Sequence, residues 1–133
     1  MIRYDEFMKK NQYPITSLDS ELIEKIKSVA PIHRYTVSTD LFYEGQTPVV
    51  AFLLIDGHVQ LVKNKKVRKV LNTGDLIGLR ELIHHIPFPL SAQVLPNTDM
   101  IFLDKSTILE IIDLVHDPEL SEVFKEIIHE EAV

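Results

Sequence analysis

The spacing of apolar residues changes period twice along this chain. Over 18–30, Leu18, Leu22, Ile23, Ile26 and Val29 recur at helical intervals. Ser17 or Asp19 can cap that helix, and Pro31 ends it. Upstream, Tyr4, Phe7 and Met8 suggest a short extra helical turn before Pro14. From Ile32 to Asp104 the pattern becomes short β-branched and aromatic runs separated by turn residues, as in a small barrel or sandwich. These runs are 32–37, 41–43, 49–55, 58–63, 66–71, 91–95 and 100–103. Asp56-Gly57 and Asn64-Lys65 read as hairpin turns, and Thr73-Gly74-Asp75 and Pro96-Asn97 as corners.

Helical spacing then returns. Asp104 is suited to an N-cap, with Ile108, Ile111, Ile112 and Val115 on one face behind it. Asp117, Pro118 and Glu119 form a second start signal. Leu120, Val123, Phe124, Ile127 and Ile128 follow as an apolar stripe about fourteen residues long, too short for a lone helix to be stable in water. The stripe must pack on its own barrel or on a second copy, and a homodimer is expected.

Composition narrows the class. At 133 residues, 45% hydrophobic and 26% charged, the chain reads as one globular domain over 1–133. Its barrel is expected over about 32–104 and its C-terminal helices over about 105–131. It has no cysteine, which excludes disulfides, thiolate metal sites and cysteine nucleophiles. The charged N-terminus holds no apolar leader, and no apolar run spans a bilayer, so a cytoplasmic protein without a membrane span is expected. Fourteen basic against twenty acidic residues leave a net charge of −6, the wrong sign for direct nucleic-acid binding.

The order of elements resembles the cyclic-nucleotide-binding domain shared by catabolite-activator/FNR regulators, kinase regulatory subunits and nucleotide-gated channels. The residues that carry the resemblance are Leu41-Phe42-Tyr43-Glu44-Gly45-Gln46, Phe52-Leu53-Leu54-Ile55-Asp56-Gly57-His58-Val59 and Gly74-Asp75-Leu76-Ile77-Gly78. It spans roughly 18–131, and all four glycines of the chain fall at the family's turn positions. The resemblance implies a mainly β fold: a double-stranded β-helix (jelly-roll) barrel with an N-terminal helix and two C-terminal helices. It also places the stripe Leu120, Val123, Phe124 and Ile127 at the family's dimerisation helix.

In members that bind cyclic nucleotides, the phosphate cassette reads Gly-Glu, an apolar stretch, then Pro-Arg-Ser/Thr-Ala. The glutamate accepts from the ribose 2′-OH, and the arginine pairs with the phosphate. This chain keeps the frame and loses the charges: Leu79 follows Gly78, and Pro89-Leu90-Ser91-Ala92 has Leu90 at the arginine position. Arg80 and Glu81 lie close by and could form a shifted charge pair, but they read first as solvated residues of a short helix. The resemblance therefore implies a degenerate ligand pocket at Gly78, Leu79, Arg80, Glu81, Leu90, Ser91 and Ala92. Over 79–90, Leu82, Ile83, Ile86, Pro87 and Phe88 make the cassette strongly apolar. It either fills the old pocket or faces a partner, in which case Ile86 and Phe88 are the anchors.

Other chemistry is sparse. His84 and His85 are adjacent and the remaining histidines scattered, with no metal-site spacing; His58 alone sits on an expected strand near a turn. No catalytic residues and no glycine-rich phosphate loop are visible, so neither enzyme activity nor a cofactor is expected. Lys63, Lys65, Lys66, Arg68 and Lys69 cluster on a hairpin that could dock an acidic partner or a lipid surface, but it reads first as a solvated edge whose lysines discourage edge-to-edge pairing. Family transcription factors continue beyond the last helix into a DNA-binding unit; with the sequence ending at Val133, no direct promoter-binding role is expected. The expectation is a stand-alone regulatory or adaptor domain that binds a protein partner and does not hold cAMP or cGMP in the usual way. Its rival is a small-molecule or cyclic-nucleotide sensor with a rearranged pocket.

Overall fold

A computed structural model describes residue 13, residues 15–115, and residues 118, 121, 122, 125 and 126. The elements, in chain order, are β1 (Thr16–Ser17), α1 (Ser20–Lys27), β2 (Ile32–Tyr35), β3 (Thr39–Phe42), β4 (Ala51–Asp56), β5 (Val59–Lys63) and β6 (Lys66–Leu71). They continue with β7 (Asp75–Ile77), α2 (Leu79–His84), β8 (Ser91–Val94), β9 (Thr98–Leu103) and α3 (Lys105–Val115). Five strands form one sheet in the order β1-β7-β4-β9-β2, and four form a second in the order β3-β8-β5-β6. Every pairing is antiparallel. This is the expected mainly β roll with flanking helices, but the two sheets do not close into one continuous barrel.

The side-chain alternation of a strand builds two core layers. Ala51 and Leu53 of β4, with Ile101 and Leu103 of β9, pack against Leu22, Ile23 and Ile26 of α1 and Ile108 and Ile111 of α3. The intervening residues Phe52, Leu54 and Met100 face the opposite way. They meet Phe42, Val59, Leu61, Leu71, Ala92 and Val94 between the sheets. A strand covered on both sides needs no polar face, which is why residues 51–54 read as an unbroken apolar run.

Local signals set the ends of the elements. Asp19 caps α1 by accepting from Leu22 N at 2.9 Å. Leu18 stays outside that helix, because its N–H donates to Gly74 O. The helix ends before Val29, which is exposed and not on the expected apolar face. Asn64 and Lys65 both adopt positive φ, as a two-residue hairpin turn requires. Asp104 accepts from Thr107 N at 2.7 Å and opens α3 as expected.

The corner at 73–75 contains more than a turn, because Asp75 begins β7, which pairs with β1 and β4. Neither β1 nor β7 is long enough to show alternation in sequence. Asp75 holds this edge together, accepting from Ser17 Oγ at 2.5 Å and Asn72 N at 2.9 Å. The apolar stripe Leu120, Val123, Phe124, Ile127 and Ile128 lies outside the described residues. Among the described residues, no helix is long and apolar enough to cross a membrane.

Two outcomes follow from these turns and caps. Gly57 has φ +99°, and a Cβ there would lie 2.4 Å from the Oγ1 of buried Thr98. Gly45 also has positive φ, but a Cβ there would meet nothing within 4 Å. Gly57→Ala should therefore lower stability by at least about 2 kcal/mol, and Gly45→Ala by only about 1 kcal/mol, a difference that calorimetric melting resolves. Second, the backbone hydrogen bond from Thr107 holds the Asp104 carboxyl below its ordinary value of 3.8. The cap should be complete above that value and lost as pH falls through the lowered folded pKa. Acid titration of the Thr107 amide proton shift should show a midpoint below 3.8, and a midpoint at or above it would contradict the assignment.

Candidate functional site

The cassette begins where β7 runs into α2. Gly78 caps this helix in the left-handed region with φ 86°. A side chain there would come within 3.1 Å of the Phe88 ring, so the turn and its close packing both require glycine. The helix lasts six residues and ends at His85, itself left-handed with φ 55° and ψ 46°. Ile86 N then returns to Glu81 O at 3.1 Å, which turns the chain back toward the roll. Lys105 Nζ lies 2.9 Å from His85 Nε2, joining the end of α2 to the start of α3.

Leu79 and Leu82 are buried with the residues of α1 and α3. Glu81 is also buried, at 1% exposure. Its carboxylate accepts from the Tyr13 hydroxyl, with both oxygens at 3.1 Å. Arg80 is half-buried and already engaged. Neither residue is the solvated surface group that the sequence suggests. For Glu81 one partner lies 68 positions away, which no local pattern can reveal.

The segment beyond α2 is locked to the loop after β3. Gly45 N donates to Phe88 O at 2.8 Å, and Phe88 N donates to Gln46 O at 2.9 Å. The Phe88 ring stacks on Phe42 with centroids 3.6 Å apart and planes 11° from parallel. At 2% exposure Phe88 belongs to the core, which overturns its expected role as a partner anchor. Once two backbone hydrogen bonds fix residue 88, its ring has only the space between the sheets to enter. Ile86, the other expected anchor, is half-buried.

Leu90, which the resemblance matches to the family's arginine, is 1% exposed. It packs between the sheets among Phe42, Phe88, Ala92 and Val94. Ser91 is half-buried and accepts from Glu44 N at 2.9 Å through its hydroxyl, while Ala92 is buried. Lys63, expected as part of a solvated hairpin, instead reaches the cassette. Its ammonium donates to Pro89 O at 3.1 Å and pairs with Glu44 at 3.1 Å. Sequence reasoning missed this staple, since Lys63 differs from its basic neighbours only in where β5 ends.

These groups form a closed set. Among the described residues, no buried side-chain nitrogen or oxygen lacks a hydrogen-bond partner. No cluster of three or more metal-ligating side chains occurs among them either. His58 uses its backbone N–H on Thr98 Oγ1, and its Nδ1 lies 3.5 Å from Leu71 O.

No family model matches this chain. A cGMP-dependent protein kinase of Plasmodium berghei (strain Anka) is 31% identical over 93 residues, covering 69% of this chain and 10% of the kinase. The chain thus spans about a tenth of that relative's length. A solved chain from a cyclic-GMP-dependent signalling pathway that regulates bacterial phytopathogenesis superposes with a TM-score of 0.69 at 18% identity, over 84% of this chain and 90% of that one. The catabolite activator protein of Thermus thermophilus superposes at 0.63 with 20% identity, over 82% of this chain and 52% of that one. With two antiparallel sheets, flanking helices and a short cassette helix after β7, the chain has the β-roll fold of the cyclic-nucleotide-binding domains.

Proposed function

We propose that this chain is a regulatory module that has given up the usual cyclic-nucleotide site and acts through contact with a protein partner. The observation that carries this reading is Leu90, an apolar side chain in the core at the position that the resemblance matches to a phosphate-pairing arginine. An anion entering there would lose its water and meet an apolar side chain in place of a paired cation. Leu79 removes the second polar contact by the same logic. Each hydrogen bond to a charged group contributes roughly 1.5–3 kcal/mol, so the two losses amount to about a hundred- to ten-thousand-fold in affinity.

The rival reading, a nucleotide sensor with a rearranged pocket, is favoured by the 31% identity with a kinase named for its dependence on cGMP. On that reading Glu81 would exchange Tyr13 for a ligand hydroxyl.

Titration calorimetry with cAMP and cGMP decides between the two. No saturation is expected at micromolar concentrations, and a micromolar dissociation constant for either nucleotide would overturn the proposal. The filled interior also predicts a stability pattern. Phe88→Ala should cost about 3–5 kcal/mol, and Ile86→Ala clearly less, in denaturant unfolding. Equal and small effects would mean that the cassette does not pack between the sheets.

A further inference from the structure

Strand β6 ends the four-stranded sheet and pairs only with β5. Among the described residues, no hydrogen-bonded neighbour covers its other edge. Such an edge leaves alternate N–H and C=O groups facing water and open to another strand. Residues 66–70 are all exposed, including Val67 at 51% and Val70 at 42%. Lys65, Lys66, Arg68 and Lys69 crowd the same stretch. None of these four forms an ion pair among the described residues, while neighbouring Lys63 is held by Glu44. This concentrated positive charge sits on a chain whose net charge is −6.

We propose that the open edge of β6 docks an extended acidic segment of a partner protein, which adds as a further strand. Main-chain hydrogen bonds would supply affinity, and the side chains would choose the partner. The charges decide which occupant fits. Two copies paired through β6 would set lysines and Arg68 against the same cations, and like charges facing across a ladder are destabilising. An acidic strand turns that repulsion into attraction and offers apolar positions to Val67 and Val70. Arg68 adds selectivity: it is the extra residue at a bulge, between Val67 opposite Val62 and Lys69 opposite Leu61. A bulge discourages indiscriminate edge pairing. The inference rests on the partner-binding function proposed above and names the chemistry of that partner.

The test uses the full chain and a fluorescein-labelled peptide of alternating glutamate and valine, followed by fluorescence anisotropy. Saturable binding is expected, weakening as salt rises, since exposed charges are screened. The triple change Lys66→Glu, Arg68→Glu, Lys69→Glu should weaken it by at least about tenfold at unchanged melting temperature. If that variant melts early, Lys66→Gln with Lys69→Gln should still weaken binding severalfold. Peptide at saturation should slow amide exchange at Val67 and Val70. The proposal fails if the peptide does not bind, if a lysine-valine peptide binds equally well, or if protection maps elsewhere. It fails equally if phosphatidylserine vesicles or duplex DNA compete for the same residues more strongly than the peptide. Titrating cGMP into the same samples separates the two ideas. Nucleotide binding would overturn the proposed function and leave the edge to stand or fall on the peptide data.

Discussion

Strand β4 is buried on both faces, and the arrangement of the other elements depends on that burial. Ala51 and Leu53 must be covered from one side and Phe52 and Leu54 from the other. Helices α1 and α3 supply the first cover, and the four-stranded sheet supplies the second. Strand β9 lies beside β4 and repeats the division with Ile101 and Leu103 against Met100. A one-residue slip between them would turn each set toward the wrong layer, so this register is strongly specified. The buried polar groups support it. Thr98 Oγ1 accepts from His58 N at 3.2 Å and lies 3.3 Å from His58 O, closing the turn that leads out of β4.

The cassette is shaped by the same need for cover. Its helix contributes Leu79 and Leu82 to the helix-facing layer, and its return segment contributes Phe88 and Leu90 to the layer between the sheets. The segment over 79–90 is thus part of two cores. Its backbone is tied down at Gly45 and Gln46, and its outer end is held by Lys63 and Ser91. Surface ion pairs such as Lys63 with Glu44 contribute little by themselves. The stack of Phe88 on Phe42 and the burial of Leu90 do most to hold the segment in place. Glu81 is the exception, a carboxyl inside an apolar segment that accepts from the Tyr13 hydroxyl.

The sheet boundaries separate what is finished from what is open. The edge at β1 is short and stitched by Asp75 and Ser17. The edge at β6 is longer, doubly exposed and cationic.

Interactions between near neighbours were legible in the chain itself. The caps at Asp19 and Asp104, the turn at Asn64-Lys65, the strand runs of β4 to β6 and the apolar character of residues 79 and 90 all follow from residue type and spacing. Each is decided within about one turn or one hairpin, so the sequence by itself determined them. Tertiary structure decided the rest, because the groups that meet are far apart along the chain. Glu81 is buried with the hydroxyl of Tyr13, 68 residues away, on its carboxylate, and Phe88 lies in the core with residues 45 and 46 bound to its backbone. Strands β1 and β7 exist only as pairing partners, being too short to carry a period. Lys63 differs from Lys65, Lys66, Arg68 and Lys69 in nothing but the direction that β5 gives it, and that direction is set when the two sheets come together.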